Sequence, residues 1–381
     1  MVETIDIIGA GLAGCTVARK LAEKGYLINI YDRRTTVGGN LFDYKDSYGI
    51  NIHKFGPHIF HTNNEDVYDF VTQHENWEDF ELVCGAVIKD KCVRTIFDFS
   101  TIDTFYDKDS AENLKNNLKE TFSGRNTVTI LELLNSTNPI IKEYGNFLYT
   151  NDYEPYTSKQ WGISPDKIDK QIFKRVPVQI GYKHGYFDDK YQIMPINGYT
   201  RFIENILNHK NIKLELNSNL TDKITFTNDK MILPEELKNH KAIIYTGAID
   251  ELFKYKFGHL PYRSLRFELK HKNIESYQEY PVVAYPQAKD YTRITEYRKF
   301  SNKKVSGTTY AVEYPLPVLE NKSVEPYYPI LTDESKIIYE KYKTYSKQFE
   351  NLHFVGRLAD FKYYNMDQVI EKALEVANKW K

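Results

Sequence analysis

Cysteine and methionine are scarce in this chain: three Cys and four Met stand among 381 residues. Cys15, Cys84 and Cys92 show no C-x-x-C or Cys/His ligand spacing, so neither a zinc site nor a disulfide framework is expected. A surplus of one charge is also missing, since 51 Lys plus Arg meet 52 Asp plus Glu. The net charge of −1 leaves no basic excess for counterion release from nucleic acid or for attraction to an anionic membrane, and neither is an expected partner. No apolar run approaches the ~18 residues of a membrane-spanning helix, which argues against insertion. Met1-Val-Glu-Thr runs directly into an apolar segment, leaving no room for a signal peptide. A reduced, cytoplasmic chain is the expectation. Internal repeats and low-complexity tracts are absent as well.

Aromatics are abundant instead, with 31 Tyr and 21 Phe. Most should be structural, but tyrosine suits a wet phosphate-binding cleft because it packs with its ring and donates with its hydroxyl. The most informative local pattern comes at the start, where Thr4-Ile-Asp-Ile-Ile is followed by Gly9-Ala-Gly11-Leu12-Ala-Gly14. Gly9 would make the tight turn, Gly11 would let backbone approach a pyrophosphate, and Gly14 would let helix pack on strand. A helical pattern from Cys15 to Lys24 and a second strand, Tyr26 to Tyr31, lead to Asp32, where a carboxylate would accept from a ribose hydroxyl, with Arg33 beside it. An empty βαβ unit is the plain alternative. A second glycine turn, Gly38-Gly39-Asn40, stands where a nicotinamide enzyme would normally enter a crossover helix. Backbone laid against a larger cofactor explains it better than an ordinary surface turn, so FAD is favoured.

The length suits two or three domains. Residues 1–80, 197–258 and 335–381 read as one discontinuous FAD-binding domain, because Ala242–Asp250 and Leu352–Arg357 both look like buried strands returning to a glycine turn. The second return is followed by an amphipathic helix from Met366, capped by Asp367. Residues 102–174 read as a small helical domain, with Asn135-Ser-Thr-Asn-Pro139 starting one helix and Ser164-Pro165-Asp166 another. Residues 81–101, 175–196 and 259–334 read as an antiparallel sheet domain, from short runs of Val, Tyr, Thr and Phe alternating with polar residues. The fold class expected is α/β: a Rossmann-like FAD-binding domain with an inserted small helical domain and an antiparallel β-sheet domain.

At Tyr156-Thr-Ser-Lys-Gln-Trp161-Gly162 the chain resembles the bacterial UDP-galactopyranose mutases. The resemblance runs nearly end to end, through GAGLAG, GGN, GPHIFHT, KRVPV, YQIMPINGYT, YTRITEY, PYYPI, FVGRL and NMD. It implies an isomerase that interconverts the six- and five-membered ring forms of UDP-galactose for cell-surface polysaccharide synthesis. Reduced FAD would act as nucleophile at the anomeric carbon with no net redox change, in a chain that forms a homodimer. Arg175 and Arg293 match the family's two active-site arginines, suited to a departing diphosphate. Tyr186, Tyr328 and Tyr363 match tyrosines that donate to that diphosphate, Tyr156 one that stacks on the base, and Trp161 one that lines the sugar pocket. His61 matches a histidine whose backbone lies near the flavin. His58, Arg357 and Met366 fall with the cofactor, the last opening a helix aimed at it. A lid between Asp166 and Arg175 is expected by the same analogy.

Two segments depart from the family pattern. Asn365-Met-Asp367 replaces a usual Asp-Met-Asp, and Ile96-Phe-Asp-Phe99 stands where a Leu-Pro-x-Asn segment is common. The first turns an acceptor-only group, expected in the active site, into one that also donates. The sugar and base therefore stay open among UDP-galactose, dTDP-fucose, UDP-N-acetylgalactosamine and UDP-arabinose, with galactose expected. An amine oxidase-like oxidoreductase and a sugar-nucleotide binding protein inactivated at Asn365 are the readings from other classes.

Overall fold

The computed structural model describes residues 2–162, 176–227, 230–238, 240–301, 305–316 and 325–380. Five parallel strands form its first sheet, in the order Ile212–Glu215, Leu27–Tyr31, Thr4–Ile8, Ala242–Tyr245, Leu352–Phe354. These strands are short apolar runs because both faces are covered: Ile5, Ile7, Ile30 and Ile244 are fully buried. The opening helix, Leu12–Glu23, and the closing helix, Met366–Asn378, pack together on one side, their buried stripes including Val17, Leu21, Ile370 and Ala373. From Thr4–Ile8 the chain proceeds first to one side of the sheet and later returns on the other. The crevice at Ile8 and Tyr245 is therefore a topological switch point, where such sheets take ligands.

A second sheet has seven strands, ordered Tyr328–Pro329, Tyr262–Lys272, Thr308–Leu316, Arg293–Glu296, Val282–Ala284, Cys84–Ile88, Lys91–Thr95. All neighbours are antiparallel except Val282–Ala284 with Cys84–Ile88, which run parallel. That pair joins segments far apart in sequence, so no hairpin fixes their direction. Against this sheet lie five helices, Phe99–Phe105, Lys108–Thr121, Ile130–Leu134, Pro139–Leu148 and Glu154–Trp161. Asp98, Asp107, Thr129 and Asn138 cap the first four, the last with Pro139 at the first helical position. Phe97, Leu114, Ile141 and Leu148 share one core with Ala86 and Ile88 of the sheet, so helices and sheet are packed layers rather than separate bodies. No helix among the described residues is long and apolar enough to cross a membrane.

Two expectations are corrected. Of the segment 175–196, the described residues 176–196 do not join the large sheet: Val178–Gln179 pairs with Thr127–Val128 in the helical layer, and Tyr191–Pro195 lies between Phe60–Thr62 and Trp77–Asp79. Alternation identifies a strand but carries no information about its partner. The closing helix is capped at Asn365, and Asp367 sits inside its first turn, where a carboxylate meets the positive end of the helix dipole. The Ser164-Pro165-Asp166 helix start and the Asp166–Arg175 lid lie outside the described residues.

Candidate active site: two cavities with a shared wall

The first cavity opens where the parallel strands end, between the two glycine turns. Gly9 has φ +115°, and a Cβ there would collide with the Thr246 hydroxyl, which donates to the Ile8 carbonyl at 3.1 Å. A Cβ on Gly14 would run into the Gly9 carbonyl, so this glycine permits the helix to seat on the strand. The turns lock together: Gly38 N–H donates to Ala10 O at 2.8 Å, and a Cβ on Gly39 would stand 3.1 Å from Gly11 Cα. Gly11, Leu12, Gly39 and Asn40 line the cavity, whereas Gly14 sits behind it. No side chain caps the opening helix at Gly11, which leaves its first-turn amides for a ligand.

Asp32 lines this cavity with both oxygens already engaged. One accepts the Ala10 N–H at 2.7 Å and the other the Arg34 N–H at 2.8 Å. A carboxylate offers about four acceptor sites, so it can shape the turn and still receive a hydroxyl. Arg33 pairs with Glu251 at 2.6 Å. Arg34, which the motif reading passed over, donates to Asn40 at 3.0 Å and to Glu325 at 2.9 Å while lying over the Phe55 ring. Burial pushes the Glu325 carboxyl up, but Arg34 and Arg33 outweigh it and hold it below the usual range. Thr246, Glu251 and Glu325 come from distant segments and carry no motif that would have marked them.

His58, Arg357 and Met366 line both this cavity and the next, and so form the wall between them. His58 is neutral: burial, then His53 and Arg357, depress its pKa to about 3. Its Nδ1 lies 2.8 Å from the Gly56 carbonyl, which can only accept, so Nδ1 carries the proton and Nε2 keeps a lone pair. The His58 backbone N–H donates to His53 Nδ1 at 3.0 Å. Arg357 is aimed by the Tyr364 carbonyl, which accepts from Nε at 3.1 Å, and lies over the Tyr328 ring at 4.5 Å.

The second cavity encloses about 550 Å³ between the large sheet and the helical layer. It brings together His61, Tyr156, Tyr186, Arg293, Tyr328, Tyr363 and Asn365, all named from the sequence. Arg293 stands directly opposite Glu313 in the sheet register, and its Nε donates to Glu313 Oε2 at 2.7 Å. Glu313 is only 1% exposed and also accepts from the Thr292 hydroxyl at 3.2 Å. Burial disfavours the charge on Arg293, but Glu313 more than offsets it, so the guanidinium stays charged. Tyr328 and Tyr363 stack with centroids 4.9 Å apart. Burial pushes the Tyr186 phenol up to about 12 and raises that of Tyr156 further, keeping both as hydrogen-bond donors. His61 stacks on Phe187 at 3.8 Å, and its Nδ1 lies 2.9 Å from Asp189.

Arg175 lies outside the described residues, and of Trp161 only its place at the end of the helix Glu154–Trp161 is described. A different guanidinium, Arg263, lines the cavity, 7% exposed and 5.2 Å from the Tyr328 ring centroid. Its signal in the sequence was an arginine inside a strand-like run, Tyr262-Arg-Ser-Leu. Asn365 is exposed, and its N–H donates to Gln368 Oε1 at 2.9 Å at the start of the closing helix. Aspartate caps a helix as well as asparagine does, so the N-cap position does not explain this departure from the family pattern. Lys159 fixes the cavity helix to the sheet, donating to the carbonyls of Tyr285, Pro286 and Ala288 at 2.8, 3.1 and 2.6 Å. The arrangement suits a dinucleotide in the first cavity and an anionic ligand in the second, meeting at His58 and Arg357.

A sequence profile described as UDP-galactopyranose mutase matches residues 151–363, and one described as NAD(P)-binding Rossmann-like domain matches residues 7–74. The chain is 34% identical to a probable UDP-galactopyranose mutase of Klebsiella pneumoniae, over 99% of this chain and 94% of that protein. It is 33% identical to the dTDP-fucopyranose mutase of Escherichia coli, over 97% of this chain and 96% of the relative. A crystal structure of reduced UDP-galactopyranose mutase has the same fold, with TM-score 0.69 at 18% identity over 99% of this chain and 95% of that one. With identity above three in ten over almost the whole length, the chain belongs to the UDP-galactopyranose mutase family.

Proposed function

We propose that this protein interconverts UDP-galactopyranose and UDP-galactofuranose with no net redox change, using FAD in its reduced form. The observation that carries the reading is the shared wall: a dinucleotide cleft meets an arginine- and tyrosine-lined cavity at His58, Arg357 and Met366. The first cavity fits FAD, because its paired glycine turns leave no Cβ between backbone and ligand and its helix N-terminus is uncapped. Gly9, Gly11, Leu12, Asp32, Arg33, Gly39, Asn40, His58, Arg357 and Met366 would hold it, with Gly14 seating the helix. When bound and reduced, FAD supplies an electron-rich nucleophile for the anomeric carbon.

The chain's own residues then have defined tasks. Arg293, held rigid by Glu313, receives the negative charge that gathers on the diphosphate as the C1–O bond lengthens. Arg263 adds a second guanidinium, and by family resemblance Arg175 a third. Tyr186, Tyr328 and Tyr363 remain protonated donors for the same oxygens. Tyr156 offers its ring to the base. His58 presents a neutral acceptor nitrogen where the two ligands meet. The product would enter cell-surface polysaccharide.

A second reading within the family is a mutase of dTDP-fucose, favoured by the Escherichia coli relative. Incubating dithionite-reduced protein with UDP-galactofuranose and with dTDP-fucofuranose, followed by chromatography, separates the two. Conversion of the UDP sugar is expected. Conversion of the dTDP sugar alone would move the substrate, and oxygen-consuming oxidation by the oxidised protein would end the mutase reading.

A further inference from the structure

Between the helices Pro139–Leu148 and Glu154–Trp161 the chain makes one π-type turn, Tyr149–Tyr153. Such a turn re-aims side chains relative to a continuous α-helix and is frequent at functional sites. Here it places Asp152 in the wall of the second cavity, one turn before Tyr156, with Gln160 one turn further along the same wall. The three carboxylates of the first cavity, Asp32, Glu251 and Glu325, all have partners. Among the described residues, Asp152 is the one carboxylate lining the second cavity, and none of them gives it a hydrogen bond or ion pair. Burial alone pushes its pKa up to about 7. Tyr153 and Tyr156 from its own helical run and Tyr186 all feel its charge, with Tyr144 of the preceding helix beside Tyr153 and Cys84 beside Tyr186. Arg263, Arg293 and Arg357 share the cavity.

A half-buried carboxyl without a partner is costly, and a ligand that completes its hydrogen bonds recovers that cost. The diphosphate cannot do so, since a carboxylate repels it. The base beside Tyr156 can. We propose that Asp152 is a specificity-determining residue whose carboxyl hydrogen-bonds the polar edge of a base carrying adjacent N–H and C=O groups. This rests on the reading of the cavity as a nucleotide-sugar site. In its protonated form the carboxyl donates to the base C=O and accepts from its N–H, a two-bond match to an imide edge. The ionised form accepts only and repels the C=O. The carboxamide of Asp152→Asn offers donor and acceptor at every pH.

The test is calorimetric binding of UDP to the FAD-loaded wild type, Asp152→Asn and Asp152→Ala at pH 6 and pH 8, with flavin content and thermal unfolding as folding controls. Wild-type affinity should fall about tenfold more between the two pH values than that of Asp152→Asn, because ionisation of the phosphate itself is common to both. At pH 6 Asp152→Ala should bind about tenfold more weakly than wild type, and Asp152→Asn within about twofold of it. In turnover the alanine variant should raise KM and leave kcat within about twofold. If wild type binds UDP and the variants match it at both pH values, the role of Asp152 is refuted while the site reading stands. If wild type binds neither UDP nor dTDP, both fall. Should Asp152→Ala not fold, the pH comparison with Asp152→Asn decides alone.

Discussion

Replacing Arg293 with alanine separates its ion pair with Glu313 from the role proposed for it toward the diphosphate. Glu313 is 1% exposed and its Oε2 lies 2.7 Å from Arg293 Nε, so the substitution leaves a buried carboxylate without its cation. Breaking one side of such a pair costs about 3–5 kcal/mol, a large share of the ~5–15 kcal/mol that holds a typical domain together. Arg293→Ala should therefore unfold at markedly lower urea. Removing Glu313 as well should restore most of that stability, because the orphaned charge goes with it. Activity should behave differently. Loss of one preorganised donor to a developing anion costs about 10²–10³ in turnover, and deleting Glu313 does not return it. Arg293→Lys should keep the ion pair but lose the planar fork, retaining most stability and only part of the rate. Urea unfolding monitored by tryptophan fluorescence and mutase assays on reduced protein read the two quantities independently. A double variant that regains turnover together with stability would show that Arg293 is only a structural partner of Glu313.

His53 and His58 have folded-state pKa values near 4 and 3, below the 6.5 of a free imidazole, because burial disfavours their charged forms. Their contribution to stability is complete above about pH 6.5 and is lost as pH falls toward those values, by about 1.4 kcal/mol per pH unit per histidine. Urea unfolding from pH 7 to pH 5 should show a shallower decline in His53→Gln than in wild type; equal slopes would refute the assignment. Gly14→Ala forces a methyl against the Gly9 carbonyl, so about 1–3 kcal/mol of destabilisation and weaker flavin retention are expected in a flavin-release assay. Unchanged flavin affinity would contradict the packing role. Lys159→Met releases three carbonyls that tie the cavity helix to the sheet, and should raise KM more than it lowers kcat. A pure kcat loss would contradict it.

The opening βαβ unit was legible because its constraints are local. Gly9, Gly11 and Gly14 sit where a tight turn, a close approach and a helix–strand contact exclude a Cβ, and the spacing to Asp32 follows from one helix and one strand. The returning strands Ala242–Tyr245 and Leu352–Phe354 were visible as apolar runs, since both their faces are covered. Partner choice was not visible: the runs around Val178 and Tyr191 look alike, yet one pairs in the helical layer and the other beside Phe60–Thr62. The same limit hid Glu313, whose importance comes from its register opposite Arg293 across two strands. Arg263 and Asp152 were missed because one charged residue in a strand or helix looks solvent-facing until the cavity around it is known. Tyr186, Tyr328 and Tyr363 were identified only through family resemblance, as nothing in their spacing distinguishes them from the other tyrosines.

Mutase chemistry on reduced flavin is tested most directly by incubating dithionite-reduced, FAD-loaded protein anaerobically with UDP-galactofuranose while following products and flavin oxidation state together. UDP-galactopyranose should accumulate to equilibrium over many turnovers while the flavin stays reduced. Stoichiometric flavin oxidation coupled to a changed sugar, or no conversion by protein that retains its FAD, would contradict it.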